Sequence, residues 1–121
     1  MGARFTELVV DASDPERLAD FWQAVLGWDR TGPDEDEGVV ELTDPAGGRP
    51  TLVFVPVPEA KTVKNRLHID LSPIGCDQDE ELARLLSLGA RRADIGQGEQ
   101  RWVVLADPEG NELCLLRTQV E

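Results

Sequence analysis

The sequence predicts an α+β domain made of two βαβββ modules, which together form a half-open, curved, mixed sheet with the helices outside. Three observations support this prediction. A chain of 121 residues is the size of one domain. The order of strand, helix and further strands occurs twice, and an Asp-Pro-x-Gly turn recurs at the corresponding place of each copy. We assign module one to residues 1–57, a linker to 58–65 and module two to 66–121.

Module one begins with an apolar strand over residues 7–12. Sequence signals for a helix follow this strand. Ser13 and Glu16 have the spacing of a capping box, and Pro15 suits a first helical turn because it lacks an N–H group. Gly27 is the residue type that ends a helix in the left-handed conformation. Between these ends, five apolar residues recur at the spacing of one helix face, namely Leu18, Phe21, Trp22, Val25 and Leu26.

Module two repeats these signals in the same order. A short strand over residues 68–71 precedes Asp77 and Glu80, which again have the spacing of a helix N-terminus, and Gly89 ends the helix. The apolar face of this helix is formed by Leu82, Leu85, Leu86 and Leu88. Further strands are predicted at 39–43, 51–55, 103–106 and 112–116, and polar loops at 32–38 and 94–100. The repeat of caps, closing glycines and turns therefore favours an internal duplication.

Composition excludes several classes of partner. The formal net charge is −12, and the sequence pI of about 4.4 disfavours binding to nucleic acid or to an anionic membrane surface. The chain contains no apolar run near the ~20 residues of a membrane span, and residues 1–6 show no signal core. Cys76 and Cys114 have neither metal-ligand nor disulfide-framework spacing. We therefore expect a cytoplasmic protein whose partner is a neutral or cationic small molecule.

Three stretches carry a resemblance to a known family. They are residues 13–27, residues 65–71 (Asn-Arg-Leu-His-Ile-Asp-Leu) and residues 107–112 (Asp-Pro-Glu-Gly-Asn-Glu). Together they resemble the vicinal oxygen chelate superfamily, and most of all its glyoxalase-like branch common in actinobacteria. That superfamily includes glyoxalase I, bleomycin-resistance proteins, fosfomycin-modifying enzymes and extradiol dioxygenases. The resemblance implies the fold predicted above and a homodimer, and it leaves both catalysis and simple ligand binding open.

The resemblance also implies where a metal would bind. In metal-using members, the first and last strand of each module supply one ligand each, which here corresponds to Glu7, a residue in 51–55, His68 and Cys114. Residues 51–55 contain no carboxylate, imidazole or amide, and Cys114 replaces the usual carboxylate. We therefore expect no metal. If a divalent metal (Zn, Ni or Fe) does bind, its ligands are expected to be Glu7, His68 and Cys114.

The same residues are the candidates for acid–base chemistry. Glu7 and His68 occupy equivalent places in the two modules and are predicted to face each other, as a general base or as an ion pair that only fixes register. Asp70 lies on the same strand face as His68 and is an alternative partner. For His68 the competing interpretation is a hydrogen-bonded core imidazole, and for Cys114 it is a core thiol.

Two further residues are candidates for ligand contact. Trp102 could form an aromatic wall that suits flat or cationic molecules, and Arg66 could bind a carboxylate. The predicted function is a metal-free small-molecule-binding protein that holds a hydrophobic or cationic ligand. The alternative is a lyase, isomerase or dioxygenase that uses Glu7 and His68, either with a divalent metal or as an acid–base pair. A third alternative is a structural or regulatory dimer.

Overall fold

The computed structural model describes residues 1–31, 38–96 and 101–120. Most of the two predicted polar loops, at 32–37 and 97–100, lies outside the described residues. The chain divides into two compact units, Met1–Ala60 and Lys61–Glu121. Residues 58–60 of the predicted linker thus belong to the first unit, and residues 61–65 belong to the second.

The first unit contains one helix and a four-stranded mixed sheet. Its elements are β1 (Glu7–Ala12), α1 (Pro15–Leu26), β2 (Asp29–Thr31), β3 (Val40–Thr43) and β4 (Thr51–Pro56). The strand order is β1-β4-β3-β2, with β1 and β4 parallel and the other pairs antiparallel. Leu42 and Phe54 have no exposed surface and form part of the core beneath α1.

The second unit has the same topology. Its elements are β5 (Ile69–Leu71), α2 (Gln78–Leu88), β6 (Arg91–Arg92), β7 (Val103–Ala106) and β8 (Glu112–Leu115). The strand order is β5-β8-β7-β6, with β5 and β8 parallel and the other pairs antiparallel. The prediction of two βαβββ modules in an α+β fold is therefore confirmed.

Helix α1 begins one residue later than its sequence signals predict. The side chain of Asp14 caps the helix by accepting a hydrogen bond of 3.2 Å from the Arg17 N–H, so the predicted capping box of Ser13 and Glu16 is wrong. Pro15 takes the first helical position, where its missing N–H costs nothing. Gly27 ends the helix at φ 68°, as predicted, and its N–H donates to the Gln23 carbonyl at 2.8 Å.

Helix α2 has the ends that the sequence predicts. The Asp77 side chain accepts a hydrogen bond of 2.9 Å from the Glu80 N–H, and Gly89 ends the helix in the left-handed conformation. Leu82 and Leu85 are buried, so α2 presents a narrower buried face than α1. No helix among the described residues has the length and apolar character that crossing a membrane requires.

Candidate functional site

The pairing of β5 with β8 brings an acid beside a thiol. In this parallel pair, Asp70 is the register partner of Cys114. Side chains alternate between the two faces of a strand, so Asp70 and Cys114 share one face of the sheet. The opposite face of β8 carries Leu113 and Leu115, which have no exposed surface. Asp70 and Cys114 therefore lie on the sheet face opposite to these core leucines.

His68 completes the cluster. Its Nδ1 lies 2.9 Å from Oδ1 of Asp70, as expected for residues two apart on a short extended stretch. The side chains of His68 and Asp70 are 44% and 46% exposed. The interpretation of His68 as a core imidazole is therefore wrong, because β5 is a short strand at the edge of its sheet and leaves the residue before it accessible.

Cys114 is the buried member of this cluster. It is 5% exposed, as predicted for a cysteine between two leucines in a strand. Burial raises the pKa of the Cys114 thiol, the Asp70 carboxylate raises it further, and Lys64 partly opposes both effects. The ligand atoms of His68, Asp70 and Cys114 all lie within 4.8 Å of one another. Module two thus gathers nitrogen, oxygen and sulfur donors at one place.

Glu112 is a buried acid that the sequence-based search for site residues missed. It lies two residues before Cys114 in β8 and therefore faces the same side of the sheet. One of its oxygens, Oε2, lies 2.8 Å from Nζ of Lys61, and the other accepts a hydrogen bond of 3.1 Å from the Asn65 N–H. The available signal was a charged residue inside an otherwise apolar strand.

Electrostatics keep Glu112 ionised. Burial would raise the pKa of Glu112, but the hydrogen bond from Lys61 and those from its own N–H and the Asn65 N–H outweigh burial, so the pKa is lowered. These contacts tether the chain at residues 61 and 65 to β8. The segment that leads into His68 is therefore held on the strand that carries Cys114.

The remaining predicted site residues lie at accessible places. Glu7 is exposed at the start of β1 in the first unit, and Arg66 is exposed just before His68 in the second. Trp102 directly precedes β7 and is 41% exposed. The predicted pair of Glu7 and His68 joins residues of two different units and stays a prediction. The partner that the structure shows for His68 is Asp70.

The donor residues do not fit one arrangement of metal ligands but fit another. The four-ligand arrangement implied by the resemblance does not fit, because β4 reads Thr-Leu-Val-Phe-Val-Pro and supplies no imidazole, carboxylate or thiol. The cluster of His68, Asp70 and Cys114 does fit a three-ligand metal site of the kind that zinc uses. That set includes Asp70, which the resemblance does not imply, and His68 and Cys114, which it does.

Two βαβββ modules with matching strand orders define the class of this protein as a glyoxalase-like α+β domain. The sequence profile of the glyoxalase-like domain family matches residues 7–116, and the chain belongs to this family within the vicinal oxygen chelate superfamily. The recognition made from the motifs is thereby confirmed. No curated protein matches the sequence itself.

Solved structures share the fold at low sequence identity. A fosfomycin resistance protein, FosX, from Listeria monocytogenes has a TM-score of 0.73 at 12% identity over 99% of this chain and 96% of its own, in complex with Mn(II) and 1S,2S-dihydroxypropylphosphonic acid. A possible glyoxalase from Bacillus cereus has a TM-score of 0.69 at 14% identity, covering 95% and 99%. The oxidase ChaP-H2 has a TM-score of 0.62 at 18% identity, covering 98% and 97%. At these identities the likeness shows the fold.

Proposed function

We propose that this protein binds a small hydrophobic or cationic molecule directly through its side chains, without a metal as intermediary. The observation that carries the proposal is the apolar character of β4, which removes a ligand that the superfamily's metal arrangement needs. In module two, by contrast, the exposed pair of His68 and Asp70 offers a hydrogen-bonding and charged contact for a ligand. The net charge of −12 favours a cation over an anion.

Further exposed groups of module two are candidates for contact with the same ligand. Trp102 is 41% exposed, and an indole face attracts a cationic or flat molecule. Asp70 supplies negative charge beside the imidazole, and its carboxylate remains 46% exposed. Exposed Arg66, by contrast, favours a ligand that also carries a carboxylate.

Fluorescence titration tests the proposal. The tryptophan emission is followed while an aromatic cation, its neutral isostere and an aromatic anion are added, each with and without EDTA. We expect the cation to bind most tightly, with a Kd that EDTA leaves unchanged and that Asp70→Asn weakens. Asp79→Asn is the matched control, since it removes the same charge from an exposed position on α2. Binding that requires a metal, or a preference for the anion, would contradict the proposal.

A second candidate function is a lyase, isomerase or dioxygenase that uses His68 and Glu7. The distance of 2.9 Å between His68 and Asp70 favours it, because a carboxylate that orients an imidazole is the arrangement of a general base. Turnover of a hemithioacetal, or of a catechol with oxygen, abolished by His68→Gln and by Glu7→Gln, would establish it. Ligand binding without turnover of either compound would favour the first function.

We also propose that the protein is a homodimer. Strands β1 and β5 are at the edges of their own sheets, and edge strands readily pair with another chain. Exposed apolar side chains lie in or near these edges, with Val9 51% and Leu67 80% exposed. Sedimentation at micromolar concentration should give twice the mass of the 13.3 kDa chain. A single monomeric species would contradict this proposal.

A further inference from the structure

We propose that His68, Asp70 and Cys114 form a reversible binding site for a soft divalent cation, Zn²⁺ above all, made by module two alone. The site differs from the arrangement implied by the resemblance, which uses Glu7 in place of Asp70. The inference goes beyond the proposed ligand binding, which needs no metal. The two share His68 and Asp70, so a bound cation would compete with an organic ligand for these side chains.

Convergence of the three donors follows from the sheet register. Asp70 and Cys114 are partners across the parallel pair of β5 and β8, and His68 reaches Asp70 from the residue before β5. All three ligand atoms lie within 4.8 Å of one another, which is near the separation of donors that share one ion. A metal would thus need only small side-chain movements rather than a change of backbone.

The chemistry of the donors selects the metal. A thiolate and an imidazole favour Zn²⁺ over Mg²⁺, Ca²⁺ or Mn²⁺, which prefer sets made of oxygen ligands. Three protein ligands leave room for water or for a bound molecule, as in catalytic zinc sites. The neighbouring carboxylate of Glu112 is engaged by Lys61 at 2.8 Å and by Asn65, so it does not add a hard oxygen ligand.

The burial of the cluster suits reversible uptake. Cys114 is held firmly in β8 and is 5% exposed, whereas nearly half of the His68 and Asp70 side chains is exposed and gives a cation access. Without metal, the His68 imidazole contacts the Asp70 carboxylate at 2.9 Å, and the Cys114 side chain is buried in β8. A cation therefore has to displace the thiol proton and separate His68 from Asp70, which limits its affinity.

Cobalt absorption spectroscopy tests the site without any assay of activity. Metal-free protein is titrated with Co²⁺, whose bond to a thiolate gives a charge-transfer band in the near ultraviolet. We expect the band to saturate at one equivalent and to disappear when Zn²⁺, but not Mg²⁺, is added. His68→Gln and Asp70→Asn should each weaken Co²⁺ binding by about 10–100-fold. These two side chains are exposed, so the variants should keep the fold, which circular dichroism checks.

Three matched variants complete the test. Cys114→Ser should abolish the band, whereas Cys76→Ser, at the chain's other free cysteine, should retain it. Glu7→Gln should leave Co²⁺ affinity unchanged. The proposal is overturned by the absence of a thiolate band, by its loss in Cys76→Ser, by retention of full affinity in Asp70→Asn, or by an equal loss of affinity in Glu7→Gln. Failure of the metal proposal is distinguishable from failure of the proposed function, because the binding of an organic cation is measured separately, in EDTA, on metal-free protein.

Discussion

The two modules share a strand order but place polar chemistry differently. In module one, the strand next to the first strand is β4, and its buried residues are the apolar Leu52, Val53 and Phe54. In module two, the equivalent strand β8 buries Glu112 and Cys114. The equivalent strand is therefore buried through apolar side chains in module one, whereas in module two it carries a buried acid and a buried thiol. Because both modules have the same topology, the candidate site in module two results from the side chains that β8 carries and not from the fold alone.

The repeated Asp-Pro-x-Gly turns show the same contrast. Asp107 is 1% exposed, and its carboxylate accepts hydrogen bonds from the backbone N–H groups of Glu109 and Asn111, both at 2.9 Å, and from the Asn111 amide. Asp44 is only half-buried and accepts one such bond, from the Ala46 N–H at 2.9 Å. A turn of one sequence type is therefore a buried anchor in module two and a surface feature in module one.

The largest expected effect is at this buried anchor. Asp107→Ala should lower the free energy of unfolding by about 3–5 kcal/mol, because several donors lose a charged, buried acceptor. Asp44→Ala should cost about 1 kcal/mol or less. Urea denaturation of both variants measures the difference. Equal losses would show that the two turns contribute alike and would remove the contrast between the modules.

The next effect concerns Glu112 and depends on pH. Because its pKa is lowered in the folded protein from the ordinary value of 4.5, its stabilisation is fully present above that value and disappears as the pH falls through the lowered pKa. Glu112→Gln should lower the free energy of unfolding by about 1–3 kcal/mol at pH 7 and by progressively less in acid. Denaturation curves from pH 7 downward measure this convergence.

An exposed acid serves as the control for that experiment. Glu59→Gln makes the same change of charge at an exposed position in the first unit. Its free energy of unfolding should stay within about 0.5 kcal/mol of wild type at every pH. A pH-independent cost in Glu112→Gln would mean that packing, rather than the ion pair with Lys61, stabilises this position.

The helix caps should give a smaller difference. Asp77→Ala should destabilise the protein by about 1 kcal/mol, since it removes the acceptor of the Glu80 N–H. Asp14→Ala should cost about 0.5 kcal/mol, because Pro15 independently fixes the first turn of α1. Thermal unfolding of the two variants compares them. A larger cost for Asp14→Ala would show that the proline does not replace the cap.

The smallest effect is expected at the surface of module one. Arg30 pairs with Glu16 at 2.6 Å and with Asp20 at 2.8 Å, but both acids are largely exposed. Arg30→Ala should therefore change the free energy of unfolding by about 0.5 kcal/mol or less, and salt should reduce even that. Urea denaturation at low and high salt measures it. A loss comparable with that of Glu112→Gln would place strong charge interactions in both modules.

Sequence reasoning succeeded where the signals are local. Asp77, Gly27 and Gly89 mark helix ends in the structure as they do in the sequence, because caps and left-handed glycines act within one helical turn. It erred by one residue at Ser13, where two neighbouring residues can both cap a helix and Asp14 does so. The apolar strands are found at the predicted places, with ends that differ by at most one residue.

For the candidate site, sequence reasoning found the residue types but not all of their partners. His68, Asp70 and Cys114 were all singled out, and spacing alone made Asp70 an alternative partner of His68. The exposure of His68 was not foreseen, since a strand pattern does not show whether the strand lies at an edge. Glu112 was overlooked because its partners come from a distant segment that was assigned to a linker. Contacts with Lys61 and Asn65 offset the cost of burying its carboxylate.

The sequence by itself determined the duplicated modules, the helix ends and the turns, because each depends on backbone preferences and on hydrogen bonds between residues a few positions apart. Only the tertiary structure decided that Asp70 lies beside Cys114 and that Lys61 neutralises Glu112. Those contacts depend on strand register and on burial, and both arise when segments far apart in the chain pack together. The chemistry of module two is therefore a product of its fold acting on residues whose types the sequence already supplied.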